Sequence, residues 1–200
     1  MGKSNLEMPT DEQLWKQFKS GNKEAFARIY RVNVEALYKY GSKFTDNSEL
    51  VEDAIQDLFL IMWRKRSKLS DINAIKPYLL GSLRKNLLRE LKRNKIAGHK
   101  NTFYDNQFHL EFSHEDLIIS EQLQEETLHN LKKVLEQLTK RQREVLYLKY
   151  YNDLSYEEIS SIMSLNYQST RNLVYNALKS LKEHFPTFTL GPLLCMQQLL

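Results

Sequence analysis

Cysteine is almost missing from this sequence: Cys195 is the only one in 200 residues. No disulfide can close within the chain, and a zinc site of the Cys-x-x-Cys kind is excluded. Proline and glycine are scarce as well, at 4 and 6 residues. So few turn-formers favour long helices over many short strands. No apolar run approaches the roughly 20 residues of a membrane-spanning helix, and residues 1–10 lack the apolar stretch of a secretory signal. Five histidines, His99, His109, His114, His129 and His184, are scattered without metal-ligand spacing. A glycine-rich phosphate loop is also absent, as is any carboxylate pair with an accompanying His or Lys. The expectation is a soluble cytoplasmic protein that is not an enzyme, with no metal, no cofactor and no small-molecule substrate.

What charge there is matters by its position more than by its sum. The formal net charge is +4 and the isoelectric point about 9.0, which suits nucleic-acid contact. Over residues 111–126 the sign reverses: acids occur there with no lysine or arginine. Such a shift marks a domain boundary, and this length allows two small domains. The expected division is a tail over 1–10, a first domain over 11–95, a linker over 96–119, a second domain over 120–185 and an apolar tail over 186–200. Residues 187–200 carry no charged side chain; packing on the second domain is the favoured expectation, an exposed apolar patch that meets a partner the alternative.

Apolar spacing predicts helices along both domains. Leu14, Trp15 and Phe18 begin a stripe. Phe26, Ile29, Tyr30, Val34, Leu37 and Tyr38 continue it past a break at Ser20, Gly21 and Asn22, where Asn22 can cap. A third helix is expected over 48–65, capped by Ser48, with Glu49, Glu52 and Asp53 suiting its dipole. Leu50, Ala54, Leu58, Ile61 and Met62 are its expected inward face. A loop over 69–75 leads to a fourth helix, from about Ile75 to Asn94, with Pro77 tolerated in its first turn. Its inward residues are Tyr78, Leu79, Leu83, Leu87 and Leu91. The second domain opens with Leu123, Leu128, Leu131, Val134, Leu135 and Leu138 on one helix. The fold class is all-α: two small helical domains joined by a flexible linker, the second a helix-turn-helix domain.

Residues 138–181 carry the sharpest signal. Ser155 and Glu158, three apart, form a capping box, and Ile159, Ile162 and Met163 bury that helix. The turn at Ser164, Leu165 and Asn166 lacks the usual glycine, and Asn166 can cap the next helix. Gln168, Ser169, Arg171, Asn172 and Tyr175 crowd that last helix's first turns, while Val174, Leu178 and Leu181 hold it to the core. Gln and Asn can bond adenine bidentately and Arg can bond guanine. A second helix entering a major groove is the geometry this grammar serves. An ordinary three-helix bundle with a polar surface is the plain alternative. Tyr147, Tyr150 and Tyr151 read as core and rim.

Two further surfaces stand out. Arg84, Lys85, Arg89, Lys92, Arg93 and Lys95 make the fourth helix basic, and Trp63 precedes a cluster of Arg64, Lys65, Arg66 and Lys68. Cations beside aromatics suit phosphates and unstacked bases, although a charge run is usually only a solvated face. Asp53, Gln56 and Asp57 lie at helical spacings of three and four, with Leu60 continuing their line. Dipole compensation accounts for Asp53 alone; a protein-docking face is the other reading.

Taken in order, these motifs resemble a bacterial RNA polymerase sigma factor of the extracytoplasmic-function group, over about residues 11–185. Residues 138–146, 154–159 and 166–172 look like its promoter-binding domain four. Residues 52–59 with Trp63, Tyr78, Leu79 and 84–87 look like its domain two. The opening Asn166, Tyr167, Gln168 and Ser169 is similar to Bacteroidetes members. The resemblance implies a non-catalytic subunit that directs core polymerase to promoters. Asp53, Gln56 and Asp57 would dock on the polymerase. Trp63, Arg64, Arg66, Lys68, Asn73, Tyr78, Arg84, Lys85, Asn86, Arg89, Lys92 and Arg93 would hold the −10 element and a base from the opened strand. Tyr167, Gln168, Ser169, Thr170, Arg171, Asn172 and Tyr175 would read the −35 element. Core polymerase, promoter DNA and an anti-sigma factor are the implied partners. Ser160, where alanine is common, and Thr170 with Arg171, where valine or lysine is common, depart from the family pattern. A stand-alone helix-turn-helix regulator remains the rival; a nucleic-acid-processing enzyme would need carboxylate or metal clusters that the sequence lacks.

Overall fold

Ser20 caps the end of the first helix and Asn22 starts the next. The Asn22 side-chain oxygen accepts from the backbone N–H of Glu24 (2.9 Å) and Ala25 (3.0 Å), satisfying two of the donors that every helix start leaves open. Gly21 just before it sits at φ +93°, a conformation that costs other residues dearly. The computed structural model describes residues 9–96, 108–109, 133 and 135–184. Every regular element among them is helical. They are α1 (Asp11–Lys19), α2 (Lys23–Gly41), α3 (Ser48–Lys65), a 3-10 turn (Arg66–Lys68), α4 (Ile75–Ile96), α5 (Lys140–Leu146) running into a π turn (Tyr147–Tyr151), α6 (Tyr156–Met163) and α7 (Tyr167–His184). Expectations for residues 1–8, 97–107, 110–132, 134 and 185–200, including most of the linker and the apolar tail, lie outside the described residues.

Contacts divide the chain into two units. One runs to Ser42 and resumes over Asn47–Glu90; the other takes Lys43–Asp46 and the chain from Leu91 onward. In the first, Leu14, Trp15, Phe18, Ile29, Leu37, Tyr40, Val51, Leu58, Met62, Leu79, Leu83 and Leu87 are buried. Phe26 joins this core to a run of rings, 5.0 Å from Trp63 and 5.9 Å from Phe59. α3 differs from expectation at two points. Asn47, not Ser48, is its cap, accepting from the N–H of Leu50 at 3.0 Å. Its inward face is Val51, Ala54, Ile55, Leu58, Phe59 and Met62. Ile61 is 41% exposed and Leu50 only partly buried. Eleven residues is close to three turns at 3.6 residues each, so Leu50 and Ile61 share one edge of the stripe and both fall at the solvent margin. Tyr30 and Tyr38 likewise lie at the margin, 40% and 38% exposed.

α2 and α3 meet closely at Gly41. A β-carbon there would stand 2.6 Å from Val51 Cγ1, and Val51 is itself fully buried.

In the second unit, Thr139 with Gln142 and Ser155 with Glu158 form capping boxes on α5 and α6. Asn166 caps α7, accepting from the N–H of Ser169 at 2.7 Å. The missing glycine of the turn is explained by Ser164, which takes the left-handed conformation itself at φ 53°. Leu135, Leu138, Leu146, Ala177 and Leu181 form a core, joined by buried Val145, Leu148, Ile159, Ile162, Met163 and Val174. Phe108, in the expected linker, is buried with its ring 5.6 Å from that of Tyr147.

The two departures from the family pattern prove to be one feature. Ser160 Oγ shares its proton between Thr170 Oγ1 (2.8 Å) and the carbonyl of Tyr156 (2.6 Å). Thr170 donates in turn to the carbonyl of Asn166 at 3.1 Å. Both residues are buried, so a polar pair replaces an apolar one between α6 and α7.

Two outcomes are expected. Gly41→Ala should destabilise the chain by about 1–3 kcal/mol despite alanine's better helix propensity, and adding Val51→Ala should recover part of that loss in urea unfolding. Ser160→Ala and Thr170→Val should each cost about 1 kcal/mol, while the pair together should cost less than the sum by about 0.5 kcal/mol or more. Additive losses would show that the two hydroxyls do not act as a pair.

Candidate nucleic-acid interface

The buried stripe of α7 decides which of its residues face outward. Thr170, Val174, Ala177 and Leu181 are buried at spacings of four, three and four. Gln168, Ser169, Arg171 and Asn172 are therefore exposed, as are Tyr167 at 43% and Tyr175 at 66%. Gln168, Arg171, Asn172 and Tyr175 share one face by the three- and four-residue rule. Thr170 does not belong with them: it is 0% exposed and its hydroxyl is engaged by Ser160 and Asn166, so its inclusion among the reading residues is corrected.

Several of these side chains are held before any partner arrives. Gln168 Nε2 donates to Asn172 Oδ1 at 3.1 Å. The Arg171 guanidinium lies 5.9 Å from the Tyr167 ring centre, and Tyr156 meets Tyr167 edge-on at 6.0 Å. Lys149 sits 5.2 Å over Tyr156 and donates to the carbonyl of Leu154 at 3.0 Å. Cation, ring, ring and cation thus run in series from the π turn to α7. Sequence reasoning missed Lys149 and Tyr156 because they lie on separate elements, where spacing along one helix gives no signal.

The first unit carries the other candidate surface. Arg64, Lys68, Asn73, Lys85, Arg89, Lys92 and Arg93 are exposed, and Arg84 and Asn86 partly so. Arg89 donates to Asn86 Oδ1 at 3.3 Å. Two aromatics expected there are committed elsewhere. Trp63 is half-buried against Phe26, with the Arg66 guanidinium 4.4 Å from its ring centre and donating to its carbonyl at 2.7 Å. Tyr78 meets Trp15 edge-on at 5.1 Å; burial raises its hydroxyl pKa, a hydrogen bond with Ser82 opposing.

Residues 69–74 lie between these basic groups, and none of the six is buried. Three residues of α1 hold the loop. Asp11 Oδ2 accepts from the N–H of Ile75 at 2.7 Å, Trp15 Nε1 donates to the carbonyl of Ser70 at 3.0 Å, and Lys19 Nζ pairs with Asp71 Oδ1 at 2.7 Å. That hydrogen bond, then the Lys19 charge, hold the Asp71 carboxyl below the ordinary range.

On α3, Asp53, Gln56 and Asp57 are exposed together. Leu60 at 52% and Ile61 at 41% extend the same side, so a carboxylate patch ends in apolar surface. Among the described residues, no group of His, Cys, Asp and Glu is placed to hold a metal, and no helix is long and apolar enough to cross a membrane.

Comparison with known proteins agrees with this arrangement. Residues 29–96 match the family Sigma-70 region 2, and residues 128–181 match Sigma-70, region 4. The ECF RNA polymerase sigma factor SigK of Mycobacterium ulcerans (strain Agy99) is 21% identical over 173 residues, covering 84% of this chain and 90% of that protein. Two solved structures share the fold. CnrH in complex with the cytosolic domain of CnrY has a TM-score of 0.59 at 17% identity, covering 90% of this chain and 99% of that one. The sigma factor RpoE in complex with the anti-sigma factor NepR from Bartonella quintana has a TM-score of 0.60 at 20% identity, covering 83% and 99%. With both regions present in order over more than half of its length, this chain belongs to the sigma-70 family, as an extracytoplasmic-function (ECF) sigma factor.

Proposed function

We propose that this sigma factor holds promoter DNA at two places while a third surface holds the polymerase. As a sigma factor the chain directs RNA polymerase core to promoters for transcription initiation. The chemistry belongs to the polymerase, and the chain acts by binding, in the cytoplasm. The observation that carries the division of labour is the outward face of α7, polar and pre-ordered, in the same chain as a separate basic surface on α4.

In this reading α7 enters the major groove of the −35 element through Tyr167, Gln168, Ser169, Arg171, Asn172 and Tyr175. Thr170 has no direct part. The exposed basic residues from Arg64 to Arg93 neutralise phosphates around the −10 element, and the loop with Asn73 faces the base leaving the stack. Unstacking costs about a few kcal/mol per step, so capture of that base stabilises the bubble. Asp53, Gln56 and Asp57, with Leu60 beside them, dock on the clamp coiled coil of the largest polymerase subunit. Domains over 11–95 and 120–185, a linker threading toward the RNA exit path, and kinship with Bacteroidetes members belong to the same reading. An anti-sigma factor is the further proposed partner, supported by the fold shared with an RpoE solved with NepR.

The bond between Gln168 and Asn172 has a consequence for readout. It engages one donor of Gln168 and one lone pair of Asn172 Oδ1. Gln168 Oε1 and Asn172 Nδ2 remain, an acceptor beside a donor, which is the complement of the adenine N6 and N7 edge. The pair therefore reads one base jointly.

Run-off transcription with core polymerase tests the function: the chain should confer promoter-specific starts, and core polymerase gaining none would defeat the reading. Asp57→Ala should weaken polymerase binding and leave domain-four DNA contacts intact, whereas Arg171→Ala should weaken −35 recognition by about tenfold and spare docking. Equal losses of both activities in both variants would sink the division of labour. With the −35 element randomised, Gln168→Ala and Asn172→Ala should relax preference at the same single position. Loss at two different positions would refute joint readout.

A further inference from the structure

We infer that α1 is the positioning element of the loop over 69–74, with Trp15 and Lys19 setting which bases that loop accepts. The inference rests on the reading of that loop as the −10 reader. In the loop Ser70, Asp71 and Asn73 are exposed and Leu69, Ile72 and Ala74 only partly buried, so apolar packing holds it weakly. A segment held by so few contacts opens locally at little cost. Something else must fix it, and the contacts from α1 are the ones on hand.

Asp11, Trp15 and Lys19 are spaced by four, one above another on a helix. They reach the loop and its exit at Ile75, Ser70 and Asp71 in turn. The three contacts differ in kind. Asp11 supplies a carboxylate to the first N–H of α4, the place where a negative charge suits a helix. Trp15 is 1% exposed, its ring is packed against Phe18 and Tyr78, and its N–H takes the carbonyl of Ser70. It therefore joins the loop backbone to the core as a rigid post. Lys19, with 22% of its side chain exposed, clasps Asp71, with 70% exposed. An ion pair this open adds little to global stability. Its effect is on the loop: with Ser70 and Asp71 held at one end and Ile75 at the other, the span through Ile72, Asn73 and Ala74 runs between fixed points, with a bend at Asn73, which remains exposed.

Trp15 and Lys19 are thus positioning residues, acting through the loop rather than on DNA. Breaking a tether should alter base preference in the −10 element and leave −35 preference and polymerase docking alone. A residue that mattered only for folding would lower all three together.

The test uses full-length chain reconstituted with core polymerase, and promoter libraries randomised in the −10 or the −35 element. Lys19→Asp and Asp71→Lys should each flatten −10 preference by about two- to fivefold, the scale of an exposed ion pair, and combining the two should restore it. Trp15→Phe, which keeps the packed ring and deletes the N–H, should flatten −10 preference in the same way. The urea midpoint and the −35 preference should stay unchanged for the charge variants. Unchanged −10 preference in all three single variants, failure of the charge exchange to restore it, or a parallel loss at both elements would overturn the inference. Absence of any promoter-specific start by the unaltered chain would instead overturn the function on which it rests.

Discussion

A helix offers outward only what its buried stripe leaves over, and this molecule's surfaces follow from that constraint. On α7 the stripe is Thr170, Val174, Ala177 and Leu181, all at 1% exposure or less. On α3 it is Val51, Ala54, Ile55, Leu58, Phe59 and Met62. Fixing the first stripe turns Gln168, Arg171, Asn172 and Tyr175 to one side. Fixing the second turns out Asp53, Gln56, Asp57 and Leu60. The hydroxyl pair of Ser160 and Thr170 sets the first stripe at its most sensitive point, where α6 and α7 come together. A buried polar pair must keep its geometry, because each hydroxyl left unbonded costs about 1–3 kcal/mol. That requirement ties the rotation of α7 to α6 more narrowly than methyl contacts would.

The same logic separates what was legible in the sequence from what was not. Local chemistry was legible. Asn22, Asn166 and the Ser155–Glu158 box cap as their spacing indicated, because a cap involves residues three apart. The start of α4 at Ile75 followed from Pro77. Side-chain direction at the margins of a stripe was less legible: Ile61 and Tyr38 satisfy helical periodicity, yet sit where the neighbouring helix no longer covers them. Thr170 was misassigned because a polar residue among exposed polar residues gives no sign of burial. Its partner Ser160 is ten positions away across a turn.

Contacts between distant elements were illegible. Nothing in the run from Asp11 to Lys19 announces that it grips residues 52–64 positions later. The series of Lys149, Tyr156, Tyr167 and Arg171 draws on the π turn, α6 and α7 at once. These are the features that a single strand of spacing cannot encode. They are also the ones that order side chains in advance of binding, which lowers the entropy lost when a partner is engaged. Under the proposed function, two weak grips held together by one polymerase would gain by effective concentration what neither has alone.

Site-specific photocrosslinking on the promoter-bound holoenzyme tests the account of two grips most directly. With the crosslinker at position 175, adducts should map to the duplex near −35; at position 73, to the opened strand near −10; at the buried position 170, none should form. Adducts from 73 and 175 falling on the same DNA segment, or efficient crosslinking from 170, would contradict it.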